Sequence, residues 1–287
     1  MPRRFTSYLD AQLADATVSG LLSATLGILG FGSVLSAAFG STAVKAAGLV
    51  IGVLHVVVLL AVALGTQRAL RRDNSWLREL LTHYTNMIYS DSDPLWRVDR
   101  WVEHVHVQDN GDATVSITVC ALAEADELHF FRVRLGSFWK QSWQSRRKVD
   151  IEVSAVDEDD QDGPRWKHTD NWLPDGRLEV LVHFQDSLPK KGDAVRLKLH
   201  LEWPGKVAPL MRGEPDEFVV RFGQPLAHLE YRVSLPACTR VRHWPIGCRK
   251  ADDFALKLST EGKRTVIALT AEDIDADRRV GMRLDLR

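Results

Sequence analysis

The sequence predicts a membrane α-hairpin followed by an all-β domain. In order, it reads as two N-terminal transmembrane helices, a juxtamembrane helix and a C-terminal antiparallel β-sandwich, with a small β-barrel as the alternative for the last part. Three observations predict this. Two long stretches near the start carry no charge. After Pro94 the apolar pattern changes from helical spacing to strict alternation. No long helical pattern then interrupts the strand-like runs, which argues against parallel βαβ units.

Between Ala16 and Val44 there is no Asp, Glu, Lys or Arg, and after Lys45 the run Ala46 to Gln67 is again uncharged. Spans over about 16–40 and 46–67 would reach roughly 37 and 33 Å as helices, against a bilayer core of about 30 Å. The second has no polar face, with Leu49, Val50, Ile51, Val53, Leu54, Val56 and Val57 in near succession. A link as short as Ser41–Lys45 makes the pair a hairpin. Arg3 and Arg4 precede the first span, Arg68, Arg71, Arg72 and Arg78 follow the second, and only Lys45 lies between. That bias predicts a multi-pass protein of the inner membrane with both termini cytoplasmic. Gly48 and Gly52 form a GxxxG step, and Gly32, Ser36 and Gly40 repeat the spacing. Small residues let helices approach closely in lipid, so these five are the candidate membrane-association residues. They serve either a homo-oligomer or packing within one hairpin. His55 is the readily ionisable side chain within the spans.

The chain divides into a transmembrane hairpin (1–67), a basic juxtamembrane helix and linker (68–94) and a cytoplasmic β-rich domain (95–287). Trp76, Leu77, Leu80, Leu81, Tyr84 and Ile88 recur at three- and four-residue steps, which predicts a helix over about 74–89. Asp73 or Asn74 can cap its start, and the turn residues Ser90 to Pro94 end it. Alternation then predicts strands over Arg100–Gln108 and Ala113–Leu122, joined by the hairpin turn Asp109-Asn110-Gly111-Asp112. Further strands are expected over Leu128–Leu135, Val149–Val156, Arg177–Phe184, Ala194–Trp203, Glu217–Phe222, Leu229–Leu235, Phe254–Ser259, Thr265–Thr270 and Val280–Leu286.

The net charge of −1 argues against a general binder of DNA or RNA duplexes. Cys120, Cys238 and Cys248 cannot all pair within one chain and read as reduced thiols. No GxSxG, Walker A, HExxH or CxxC motif is present, so no catalytic residue and no cofactor is expected. His104 and His106 share one strand face and could hold a metal with Cys120, His129 or His183. No definite third ligand emerges, and no metal is expected. Glu158, Asp160, Asp162 and Gly163 imitate part of a calcium loop, but Thr169 stands at the twelfth position, so a solvated loop is expected.

Two basic-aromatic clusters supply the candidate ligand-binding residues. One holds Lys140, Trp143, Arg146 and Arg147; the other holds Arg240, Arg242, Trp244 and Arg249. Both are expected in connections between strands. Arg offers forked donors to phosphate, and Trp stacks on bases or on Arg. The same residues suit an anionic lipid surface, or a β domain whose end is closed by Trp beneath solvated charges.

Two N-terminal spans with inside termini, then a cytoplasmic β-rich part over about 95–287, resemble the two-transmembrane β-strand-rich effectors of bacterial cyclic-oligonucleotide antiphage defence. The resemblance is one of architecture and carries no site residue with it. It implies a β domain that binds a cyclic nucleotide, oligomerises on binding and perturbs the inner membrane through its spans. The competing expectation is a membrane-tethered adaptor whose β-sandwich binds a protein partner through an edge strand or loops, without catalysis.

Overall fold

The structure is a computed structural model that describes residues 53, 56–57, 59–60, 63–65, 67, 76–88, 94–136, 139, 141–157, 161–185, 187–237, 240–249 and 251–286. The chain forms two compact units, Met1–Leu77 and Arg78–Arg287.

The expected membrane architecture is corrected here. Among the described residues no helix is long and apolar enough to cross a membrane. The longest described helical run, α1, covers residues 76–88. Its thirteen residues reach only about 20 Å, short of a bilayer core of about 30 Å. The described chain is instead dominated by strands. This removes the structural ground for two transmembrane helices and for a multi-pass placement in the inner membrane. The span expected over 16–40 lies outside the described residues, as does most of 46–67, and so do Gly32, Ser36, Gly40, Gly48, Gly52 and His55.

The second unit holds the strands β1 Trp96–Val107, β2 Ala113–Ala123, β3 Phe130–Leu135, β4 Asp150–Val156, β5 Asp162–Arg165, β6 His168–Trp172, β7 Leu178–His183, β8 Ala194–Trp203, β9 Asp216–Arg221, β10 Leu226–Leu235, β11 Val241–Ile246, β12 Phe254–Glu261, β13 Arg264–Ile274 and β14 Arg279–Leu286. Two one-turn helices join them, α2 Trp143–Arg146 and α3 Ala208–Met211. Alternation builds the long strands. In β2 every second side chain from Ala113 to Ala123 is buried and those between are half-exposed. The β1–β2 turn needs its glycine: Gly111 has φ of +85°, and a Cβ there would stand 2.6 Å from the Cα of Ala208. Asp112 extends that contact, accepting from the Gly205 N–H at 2.6 Å.

The strands form one eight-stranded sheet, ordered β12-β13-β10-β1-β2-β8-β4-β5, and two three-stranded sheets, β11-β14-β9 and β3-β7-β6. One apolar core draws on all three. Phe218 packs edge-on against Tyr231, and Trp101 against Phe222, joining β11-β14-β9 to the large sheet. Trp96 meets Phe131, and Trp172 meets Trp203, joining β3-β7-β6 to it. The expectation of a wholly antiparallel sandwich is also corrected: β1 and β10 at the centre of the large sheet run parallel, from Arg100↔His228 to His106↔Ser234. Alternation fixes which side chains face inward but says nothing of which distant strand supplies the neighbour.

From residue 78 onward α1 meets the β3-β7-β6 sheet through polar groups. Arg78 donates to the Asp170 backbone and carboxylate at 2.8 and 3.1 Å. Asn171 donates to Thr82 at 3.0 Å, and Arg132 and Arg134 donate to Asn86 at 3.0 and 2.6 Å. Leu81, Tyr84, Met87 and Ile88 are left exposed.

Candidate functional site

The apolar core contains a group of charged residues. Inward positions of β1 alternate as Trp101, Glu103, Val105 and Val107, so a carboxylate occupies a core position. Glu103 is 3% exposed and accepts from the Trp101 indole N–H at 3.2 Å. Its register partner on β10 is Tyr231, also buried, whose hydroxyl donates to it. Lys206, in the turn after β8, and Asp216, at the start of β9, complete the group, and both are buried. The Lys206 ammonium lies 4.3 Å from the centre of the Trp203 ring and 3.5 Å from the Gly136 carbonyl.

Burial dominates the electrostatics. It pushes the Glu103 carboxyl above the usual carboxylate range, with the Lys206 charge pulling the other way. Burial pushes the Lys206 ammonium down, against the pull of Glu103 and Asp216. Burial raises Asp216, which the Glu217 backbone N–H partly offsets. Tyr231 stands well above the usual phenol range because it is buried beside Glu103. Burial thus shifts Glu103 and Asp216 toward their protonated forms and Lys206 toward its neutral form, while their mutual attraction opposes both. A cavity of about 10 Å³ lined by Gly136, Lys206, Asp216, Phe218 and Tyr231 adjoins them. That is about the size of one water molecule, too small to admit an organic substrate. A second cavity of about 10 Å³ lies between Cys248, Asp252, Phe254 and Arg278. Drug-sized ligands occupy cavities of about 300–1,000 Å³, so neither is a nucleotide pocket.

The candidate ligand residues from the sequence fall into two separate places. Trp143 opens α2 and is 67% exposed, with the Arg147 guanidinium 4.5 Å from its ring centre. Arg146 turns inward instead, 4.9 Å from the ring centre of Trp172. Lys140 lies outside the described residues. The second cluster is not the connection expected of it, because its middle is strand β11, the edge of the β11-β14-β9 sheet. Arg240, Arg242 and Trp244 are exposed at alternate positions there. Arg249 lies beyond the strand, where its backbone N–H donates to Asp252, itself paired with Arg278. The two clusters thus stand on different elements, a connecting helix and a sheet edge.

His104 pairs with Glu230 at 3.5 Å. Among the described residues, no group of three or more His, Cys, Asp or Glu side chains is arranged to hold a metal. Of the acidic loop, Asp162 lies in β5 and pairs with Lys198 at 2.8 Å, while 158–160 lie outside the described residues. Sequence reasoning missed Glu103, Tyr231, Lys206 and Asp216. The signal for Glu103 was present in the alternation of β1. Lys206 and Asp216 sit in or beside turns, where no periodicity marks a buried position.

No protein-family model matches the chain, and no curated protein matches it. Solved structures match at low similarity. A structure from Parabacteroides distasonis, assigned only provisionally as a protease, aligns at a TM-score of 0.46 and 7% identity over 67% of this chain and 41% of that one. An M1 zinc metallopeptidase from Deinococcus radiodurans aligns at a TM-score of 0.42 and 13% identity over 67% of this chain and 43% of its own. The chain therefore spans about two fifths of the length of these structures.

Proposed function

We propose that this chain is a non-catalytic binding module that engages a protein partner at the edge strand β11, with Trp244 and Arg242 as anchors. The observation that carries this reading is a tryptophan 45% exposed on a sheet edge beside an exposed arginine. Strand β11 pairs with β14 on one side and is the last strand of its sheet on the other. Trp and Arg dominate the energetics of protein interfaces, and open sheet edges are recurrent docking elements. Pro245 interrupts any backbone ladder along this edge, so side chains supply the main contact.

The test places a photo-crosslinking residue at position 244 of the full chain and irradiates it in cells. A discrete crosslinked protein, lost on Arg242→Glu, is expected. Thermal unfolding against a panel of cyclic di- and trinucleotides is the counter-test. A ligand at about 100 times its Kd adds about 2.7 kcal/mol to stability, a shift of several degrees. A shift with one nucleotide, together with no crosslink, would replace the protein partner with a nucleotide.

A further inference from the structure

The segment around α2 holds two buried donors without an acceptor. Arg146 is the last residue of α2, and its guanidinium lies 4.9 Å from the ring centre of Trp172. That ring stands edge-on to Trp203, with ring centres 5.7 Å apart. Gln141 sits on the second ring: the Trp203 indole N–H donates to its Oε1 at 2.9 Å. An indole nitrogen only donates, so this bond fixes which end of the amide is the NH2. Gln141 is 4% exposed, and its Nε2 has no acceptor; the buried Nε of Arg146 has none either.

Other partly buried arginines of this fold are neutralised. Arg134 pairs with Glu179 at 2.7 Å, Arg232 with Glu261 at 2.6 Å, and Arg278 with Asp252. Among the described residues Arg146 has no carboxylate partner. The turn beside it cannot supply one. A Cβ on Gly176 would stand 3.4 Å from the Arg146 Nη2, but the neighbouring Asp175 holds the Arg177 side chain at 2.6 Å and accepts from its backbone N–H at 3.0 Å.

We propose that Arg146 and Gln141 bind a small tetrahedral oxyanion of the phosphate class. The site stands on different elements from β11 and goes beyond the function proposed above. Buried donors are normally bonded and buried charges normally paired. A water molecule would satisfy the donors but leave the charge unpaired; an anion does both. The guanidinium offers forked donors to phosphate, and stacking on Trp172 holds its plane. A tetrahedral oxyanion accepts from several directions, which suits donors on two side chains. Arg146 is half-exposed, so an ion can reach it from solvent, and the exposed Arg147 and Lys148 add positive field at the entrance.

The experiment follows thermal unfolding of the full chain in sodium phosphate, with sodium chloride at equal ionic strength as the reference. The phosphate shift should saturate with a Kd of about 1 mM or below and reach several degrees at about 100 times Kd. Saturation separates binding from the general effect of excluded salts, which keeps rising with concentration. Gln141→Glu keeps an acceptor for Trp203, replaces the donor with a carboxylate and gives Arg146 an internal partner. It should weaken phosphate at least about tenfold. Arg146→Gln should abolish the saturable shift, and Arg242→Glu should leave it unchanged. Should Arg146→Gln fail to fold, Gln141→Glu decides. Equal shifts in phosphate and chloride, a phosphate effect that never saturates, a full response in either folded site variant, or loss on Arg242→Glu would each overturn the proposal.

Discussion

The two faces of the eight-stranded sheet differ by a shift of one residue. The inward row Leu269, Tyr231, Glu103, Ile117, Leu199 and Val153 crosses six strands, and each member is buried. One residue along, the outward row is Ala268, Arg232, His104, Ser116, His200 and Glu152. The backbone is shared, so the difference isolates the solvent. Inside, a single carboxylate among apolar neighbours must share a proton or a counter-charge. Outside, ion pairs form at little cost and can be exchanged. Leu199 and His200 are adjacent on β8 and offer the sharpest test. Leu199→Ala should cost about 3 kcal/mol, because a fully buried leucine leaves a cavity. His200→Ala should stay within about 0.5 kcal/mol. Urea unfolding of both variants measures the gap, and similar midpoints would mean that the core does not lie where the burial places it.

Charges on the two faces should separate in the same way, with a smaller gap. Lys206→Ala leaves Glu103 and Asp216 buried without their cation, a change that costs about 3–5 kcal/mol where the stranded charge cannot neutralise. Glu103 can take up a proton, so we expect about 2 kcal/mol at neutral pH. Lys198→Ala removes a partner from the exposed Asp162 and should cost below about 1 kcal/mol. A Lys206 variant as stable as the Lys198 variant would show that the buried group is wetter than it looks.

The pH dependence follows from the same group. Glu103 and Asp216 have folded-state values raised above their unfolded ones. Between the two values the folded chain binds more protons than the unfolded chain. Their contribution to stability is therefore lost as pH rises from about 4 through the raised values. Burial lowers His183 and His106, so their contribution has the opposite sense and is lost as pH falls below about 6.5. Glu103→Gln keeps an acceptor for Trp101 and Tyr231 but abolishes the carboxyl titration. Relative to the parent chain it should gain stability as pH rises from about 4.5 to 8. Urea midpoints at both ends measure this, and a constant difference would remove Glu103 from the titrating group.

Much of the strand layout was legible, because alternation survives wherever one face is buried. The strand expected at Ala194–Trp203 has the bounds of β8, and the alternation expected over Ala113–Leu122 puts Val115, Ile117 and Val119 in the core. What was not legible has physical causes. β5 and β6 are short and polar, with no buried alternation to mark them. β11 contains Arg242, Trp244 and Pro245, and at an edge such a composition is tolerated. The apolar spacing of α1 marked a helix, but the helix is tied down by Arg78, Thr82 and Asn86, whose bonding no periodicity reveals. The parallel pairing of β1 and β10 depends on residues far apart in sequence. At the candidate sites, Arg242 and Trp244 are exposed on β11, whereas Arg146 turns inward onto Trp172 and the buried group went unread.

Ser116 provides the smallest effect on the outward row. It sits between His104 and His200, half-exposed, on a central strand. Valine has the higher strand preference there and introduces no buried polar group. Ser116→Val should therefore raise stability, by up to about 0.5 kcal/mol. Urea midpoints of the two chains measure the gain, and a loss of stability would show that the Ser116 hydroxyl is bonded within the sheet.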